Sequence, residues 1–281
     1  MTITRSLPFA DYLARDSEHF SVLKAIDISP LHYLRARDHG RKDTDALRIG
    51  RATHGLLLTP TIADVAIWAN GRRAGKEWAA FKAEAAGRTI ITEAEAEAAD
   101  GMRAAIQANP IARTLLTDGD PEVTIEWTDA RTGLPCRARA DFLGDDVSRH
   151  LVEVKTARSS HPRAFASACA RLLYHAQLAF YCDGYETETG EPPASVHVIV
   201  VEKDPPHDVC VYRVGQEVLD AGRRKIDAWL ARVAECRAAG TWPGAGGDGV
   251  VDLVLPDYAM TDGLEDVDMD GIGGANADGE V

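Results

Sequence analysis

LPCRARADFLGDDVSRHLVEVKTA, residues 134–157, is the stretch on which the fold turns. Two strand-like runs, 134–144 and 149–157, meet at the short polar segment GDDVSR. So short a connection folds the second run back antiparallel to the first. Side chains alternate across a strand, so Glu153 and Lys155 share one side while Val152 and Val154 take the other. The valines can enter a core, which leaves an acid and a base displayed together. Asp141 sits near the end of the first run, and the turn brings it beside Glu153.

Working outward, EVTIEWTD (122–129) alternates apolar and polar residues as a strand does, and DARTG makes the turn into residue 134. Downstream, 163–186 reads as an amphipathic helix ended by Gly190, Pro192 and Pro193. SVHVIVVEK (195–203) and HDVCVYRV (207–214) read as strands joined by a Pro-Pro turn, and a long helix over 216–239 stops at Gly240. Upstream, residues 19–60 read as helical, with Ser29-Pro30 as a start signal and Pro60 as the end. Residues 68–87, with Trp68, Trp78 and Phe81, read as a loop and a short helix. Thr92-x-x-Glu95 is a capping box for a helix reaching about Asn109, before Pro110. The order predicts an α/β (α+β) fold, a central mixed β-sheet flanked by helices. One domain is expected over 1–260, with a helical part at 1–118 and the catalytic sheet and helices at 119–245. The acidic tail 261–281 is expected to be disordered when free. No internal repeat is visible.

The 281 residues are 45 % hydrophobic and 27 % charged, ordinary for a globular chain. No apolar run reaches the ~20 residues that span a bilayer. The N-terminus lacks a basic region followed by a long apolar stretch, so a cytoplasmic location is expected, with no membrane partner. The five cysteines form no C-x-x-C pair, which argues against an iron–sulfur cluster. Of the net charge of −13, seven acids from Asp262 onward account for more than half. The body carries basic clusters at Arg35, Arg37, Arg41, Lys42, Arg48 and Arg51, and at Arg72, Arg73 and Lys76.

Two carboxylates and an ammonium at one strand junction suit phosphodiester hydrolysis. Asp141 and Glu153 can hold Mg²⁺, or Mn²⁺, through hard oxygen ligands, and the backbone carbonyl of Val154 can complete the shell. The metal lowers the pKa of a bound water, and Lys155 positions that water or stabilises developing charge. An E-x-K in a strand is also what an ordinary surface ion pair looks like, so other features count. In Gly50-x-x-x-His54 the glycine allows close approach of another backbone and His54 offers a nitrogen ligand. Tyr174, Gln177 and Tyr181 share one helix face. Glu122 is either an outer ligand or a solvated edge charge, and the edge charge is favoured. Core packing is the default for Trp68, Trp78 and Trp127, although Trp68 in a basic loop could wedge at a DNA end.

Together these residues resemble the PD-(D/E)XK nuclease superfamily, within it the exonuclease VIII and phage λ exonuclease branch of recombination nucleases. The matching stretches are SPLHYLRAR (29–37), ALRIGRATHGLLLTP (46–60), GRRAGKEWAAFKAEAAGRTIIT (71–92), EVTIEWTDARTGLPCRARADFL (122–143), LVEVKTARSS (151–160) and YHAQLAFYCDGY (174–185). Ala140-Asp141 stands where the superfamily name has Pro-Asp. The resemblance implies a restriction-endonuclease-like core, metal ligation by His54, Asp141 and Glu153, a catalytic Lys155, and support or DNA contact from Gln177 and Tyr181. It implies 5′→3′ digestion of linear double-stranded DNA to leave 3′ single-stranded tails, a ring-shaped homo-oligomer and a single-strand annealing protein as partner. A 5′-phosphate pocket needs cations and hydroxyls near the metals, and by position Ser29, Arg139 and Arg158 are the candidates. The rival readings are an endonuclease or helicase-associated nuclease of the same superfamily, and a DNA-end-binding protein without catalysis.

Overall fold

The computed structural model describes residues 3–5, 7–40, 44–59, 65–247 and 249–255. The chain divides into two units, Met1–Ala245 and Gly246–Val281. The second has no helix or strand among its described residues, and the acidic segment 261–281 lies outside them.

In chain order the first unit contains β1 (Ile3–Thr4), α1 (Phe9–Leu13), α2 (Phe20–Leu23) with a 3₁₀ turn (Lys24–Asp27), α3 (Pro30–His39) and α4 (Asp45–Leu58). Next come β2 (Val65–Trp68), α5 (Gly75–Glu84), β3 (Thr89–Thr92), α6 (Glu93–Ala108) and α7 (Pro110–Leu115). Then follow β4 (Gly119–Thr128), β5 (Pro135–Gly144), β6 (His150–Ala157), α8 (Pro162–Leu172), α9 (Tyr174–Thr189), β7 (Ser195–Glu202), β8 (Val209–Arg213) and α10 (Gln216–Ala239). The main sheet is ordered β1-β4-β5-β6-β7-β8. β6 and β7 are parallel, and every other neighbouring pair is antiparallel, so the sheet is mixed, as the sequence indicates.

Local signals set the boundaries. Thr92 Oγ1 accepts from Glu95 N–H (3.1 Å) and the Glu95 carboxylate accepts from Thr92 N–H (2.7 Å), which completes the capping box of α6. Ser29 caps α3, with Pro30 in its first turn, and Gly40 at φ 67° ends it, so the stretch 19–60 is several helices. The expected helix over 163–186 is two, because Leu173 takes a left-handed conformation (φ 63°) between α8 and α9 with no Gly or Pro to announce it. β2 and β3 form a parallel pair around α5, a small βαβ unit that the reading of 68–87 as a loop and helix does not contain.

Two apolar clusters flank the sheet. Val123, Ile125, Trp127, Ala138 and Val198 pack with Phe180 of α9 and Ile226 and Leu230 of α10. Val152, Val154, Ile199 and Val201 pack with Leu58 of α4 and Met102 and Ile106 of α6. Buried Glu18 fastens the N-terminal helices to the sheet. Its backbone bonds to Pro135 and Arg137, and its carboxylate accepts from Tyr33 Oη (2.8 Å) and from Arg237 of α10. Trp68 is buried against Trp78 and Phe81 (centroids 5.3 and 5.0 Å), and Trp127 lies on Phe180 (4.7 Å), which is core packing for both.

Candidate functional site

The site forms where the sheet opens. β6 stays paired with β7 from His150–Ser195 to Ala157–Glu202, but with β5 it pairs only through Phe142–Val152 and Leu143–Leu151. At the next position Asp141 replaces the ladder: its Oδ2 accepts the Val154 N–H at 2.7 Å, while Glu153 Oε1 takes the Asp141 N–H at 3.4 Å. A strand residue's N–H and C=O lie on one edge, so the Val154 carbonyl also faces this opening. Continued, the register places Glu153 across from Asp141. Between β4 and β5, Pro121 faces Phe142 and Val123 faces Ala140, so Glu122 lies across from Asp141 on the other side. Three carboxylates thus stand in a row over three adjacent strands. Glu122 holds φ at 56° within a strand, a left-handed conformation that costs about 1–3 kcal/mol for a residue with a Cβ.

Helices close the row from either side. α4 brings His54, whose Nδ1 is 3.3 Å from Asp141 Oδ1. His54, Glu122 and Asp141 each offer one ligand atom, all within 4.8 Å of one another. Lys155 Nζ lies 2.6 Å from Glu153 Oε2 and 5.0 Å from the centroid of the Tyr174 ring. From α9, Gln177 Nε2 donates to Glu153 Oε2 (3.1 Å) and to Tyr181 Oη (2.9 Å). α9 comes close because Gly184 has no side chain. A Cβ there would stand 2.6 Å from the Trp127 ring.

Burial sets the electrostatics. Glu153 is 1 % exposed. Desolvation, with the Asp141 charge second, pushes its pKa up to about 7 against the pull of Lys155. Burial works the same way on Asp141, but His54, Lys155 and the Val154 N–H outweigh it and hold its carboxyl below the usual range. Burial disfavours the charged forms of His54 and Lys155, and the neighbouring carboxylates reverse this, so both are raised. Glu122 is raised by burial and by Asp141, against its ion pair with Arg139. Each acid has a cationic neighbour, Arg139 for Glu122, His54 for Asp141 and Lys155 for Glu153. Carboxylate oxygens, an imidazole nitrogen and a backbone carbonyl converging on one opening fit a divalent metal ion.

His54, Asp141, Glu153, Lys155 and Gln177 therefore come together, with the Val154 backbone at the same opening. Tyr181 is buried and supports Gln177. Arg139 joins through Glu122, with Leu7 O as a second acceptor (2.9 Å). Arg158 is exposed past the end of β6 and has no ion pair among the described residues. Ser29 is buried, and its Oγ is engaged by His32 N–H (3.2 Å) and His32 Nδ1 (2.7 Å) as a helix cap, with no hydrogen bond to the acidic row. Gly50 does not mark a close approach, since a Cβ there would meet only Thr156 Oγ1 at 3.9 Å. The residue undervalued in the sequence is Glu122. Asp129 N–H bonds to Leu134 O across the turn, and counting seven residues away from the turn along each strand reaches Glu122 and Asp141. The sequence thus held the signal.

A family model described as a PDDEXK-like domain of unknown function (DUF3799) matches residues 19–250. No curated protein matches the chain. A solved structure from Eubacterium rectale, named as a candidate exonuclease, superposes with a TM-score of 0.62 at 13 % identity, covering 93 % of this chain and 100 % of the other. At that identity the likeness is one of fold. A structure named SSO0001 aligns with a TM-score of 0.35 at 11 % identity, covering 78 % of this chain and 81 % of its own, too distant to carry an argument.

Proposed function

Since the chain belongs to the PDDEXK-like family DUF3799, we propose that it is a divalent-metal-dependent DNA nuclease, and specifically an exonuclease that digests linear duplex DNA from 5′ ends. The observation that carries the reading is the row of half-buried Glu122 and buried Asp141 and Glu153, with His54 and Lys155 against it. A low-dielectric, acid-rich opening with one ammonium serves a reaction in which water adds to phosphorus and a sugar oxygen leaves. A divalent cation held by His54, Asp141, Glu122 or Glu153 and the Val154 carbonyl would polarise the phosphate and lower the pKa of its water. Mg²⁺ and Mn²⁺ both suit oxygen-rich donor sets, and one imidazole favours Mn²⁺ somewhat more.

The chain's own groups have distinct tasks in this reading. Lys155, fixed by Glu153 and the Tyr174 ring, donates to the attacking water or to a phosphate oxygen. Gln177 holds Glu153 in place, and Tyr181 holds Gln177. Arg139 stands ready for a terminal phosphate beside Glu122. The name of the Eubacterium rectale neighbour agrees with an exonuclease. The resemblance to recombination nucleases extends the proposal to a ring-shaped homo-oligomer and a single-strand annealing partner.

The test is linear duplex DNA labelled at one 5′ end, with and without a 5′ phosphate, incubated with Mg²⁺ beside a covalently closed circle. Early release of the labelled nucleotide with the circle intact is expected. Nicking of the circle would make the enzyme an endonuclease, and an absence of metal-dependent cleavage would remove the reading.

A further inference from the structure

A second feature is a cleft of about 480 Å³ lined by Phe9, Arg48, Arg51, Arg73, Trp78 and Arg88, with no acid among its described lining residues. Glu95 reaches it from behind and bridges two of the arginines, with Oε1 2.9 Å from Arg48 and Oε2 2.9 Å from Arg73. The bridge fixes both guanidinium groups at the wall. Arg73 lies over the Trp78 ring at 5.9 Å, and its Nε–H is buried with no acceptor among the described residues.

The cleft adjoins the acidic row. Arg48, Arg51 and His54 stand on α4, where a 1.5 Å rise per residue puts Arg51 about 4.5 Å and Arg48 about 9 Å along the axis from His54. Phe9 lines the cleft while its ring lies 5.5 Å from Arg139, the partner of Glu122. A cationic wall with an aromatic–guanidinium platform matches single-stranded nucleic acid, whose phosphates need charge-assisted donors and whose unstacked bases need a flat surface. The volume exceeds what a lone phosphate fills.

We propose that this cleft holds the nucleic-acid strand flanking the cleaved bond, with a backbone phosphate on the arginines and one base on the Arg73–Trp78 pair. The assignment rests on the nuclease reading, and its test is made without turnover. A fluorescent oligothymidylate of about 12 nucleotides is titrated with the full chain in EDTA across a salt series. Trp78→Ala should raise Kd about tenfold, and Trp78→Phe should restore most of it. Arg51→Gln, at an exposed position, should raise Kd and shrink the slope of log K against log salt by about 0.7. Wild-type binding and slope in both Arg51→Gln and Trp78→Ala would overturn the proposal. If the wild type still degraded duplex DNA, the nuclease reading would stand without the cleft. Displacement by pyrophosphate as effective as by unlabelled oligonucleotide would make this a simple anion site, and overturn the strand assignment. A chain that neither binds the oligonucleotide nor cleaves DNA would bring down both.

Discussion

Glu153→Gln should separate stability from activity. The amide keeps the shape of the side chain and an oxygen for Lys155 and Gln177, which donate to Glu153 Oε2 at 2.6 and 3.1 Å. It removes the titration. Burial first, and Asp141 second, lift the Glu153 pKa from 4.5 to about 7 in the folded chain. With the folded pKa raised, the native state binds more protons than the unfolded state between those values, so stability falls as pH rises through that window. At ~1.4 kcal/mol per pH unit the loss is roughly 3 kcal/mol, complete just above pH 7. The assay is urea unfolding in EDTA from pH 4.5 to 8. The wild type should lose roughly 3 kcal/mol more than Glu153→Gln across that range, and the variant should show no Mg²⁺-dependent cleavage. Parallel stability profiles would refute the idea that burial and the Asp141 charge raise the Glu153 carboxyl in the folded chain.

Other outcomes follow from the packing. A Cβ at Gly222 would lie 2.2 Å from the His175 carbonyl oxygen, a backbone atom that moves only with α9. Gly222→Ala should therefore cost about 3 kcal/mol in urea unfolding and lower cleavage, because Gln177 lies two residues beyond His175. Burial, and then Arg137, depress His19 to about 4. The stability it contributes is present above pH 6.5 and is lost as pH falls towards 4, so His19→Gln should show a smaller drop in Tm between pH 7 and 4.5. Gln177→Leu removes one of the two donors to Glu153 Oε2, leaving Lys155, and takes the Gln177 donor from Tyr181 Oη. Single-turnover cleavage should slow by about 10- to 100-fold, with duplex affinity in EDTA unchanged.

The catalytic strands were legible because their chemistry follows the simplest periodicity. Val152 and Val154 enter the core while Glu153 and Lys155 do not, as a period of two requires. The capping box at Thr92 and Glu95 and the stop at Gly240 are local signals and held in the structure. What escaped depends on partners distant in sequence. The four-residue strands Val65–Trp68 and Thr89–Thr92 are defined by pairing with each other, and neither is long enough to show a period. The break at Leu173 is a backbone choice by a residue that ordinarily continues a helix. Glu122 looked like an edge charge because its role depends on the register of a hairpin and on a left-handed φ, neither of which its own residue type encodes.

If the row around Asp141 is a metal site, it binds a divalent cation without DNA and depends on the Asp141 carboxylate to do so. The most direct measurement is calorimetric titration of Mn²⁺ into the wild type, Asp141→Asn and Lys155→Ala in the absence of DNA. The wild type should bind, Asp141→Asn should lose at least about tenfold in affinity, and Lys155→Ala, whose side chain is no ligand, should stay near the wild type. Equal Mn²⁺ affinity in Asp141→Asn and the wild type would contradict the metal site.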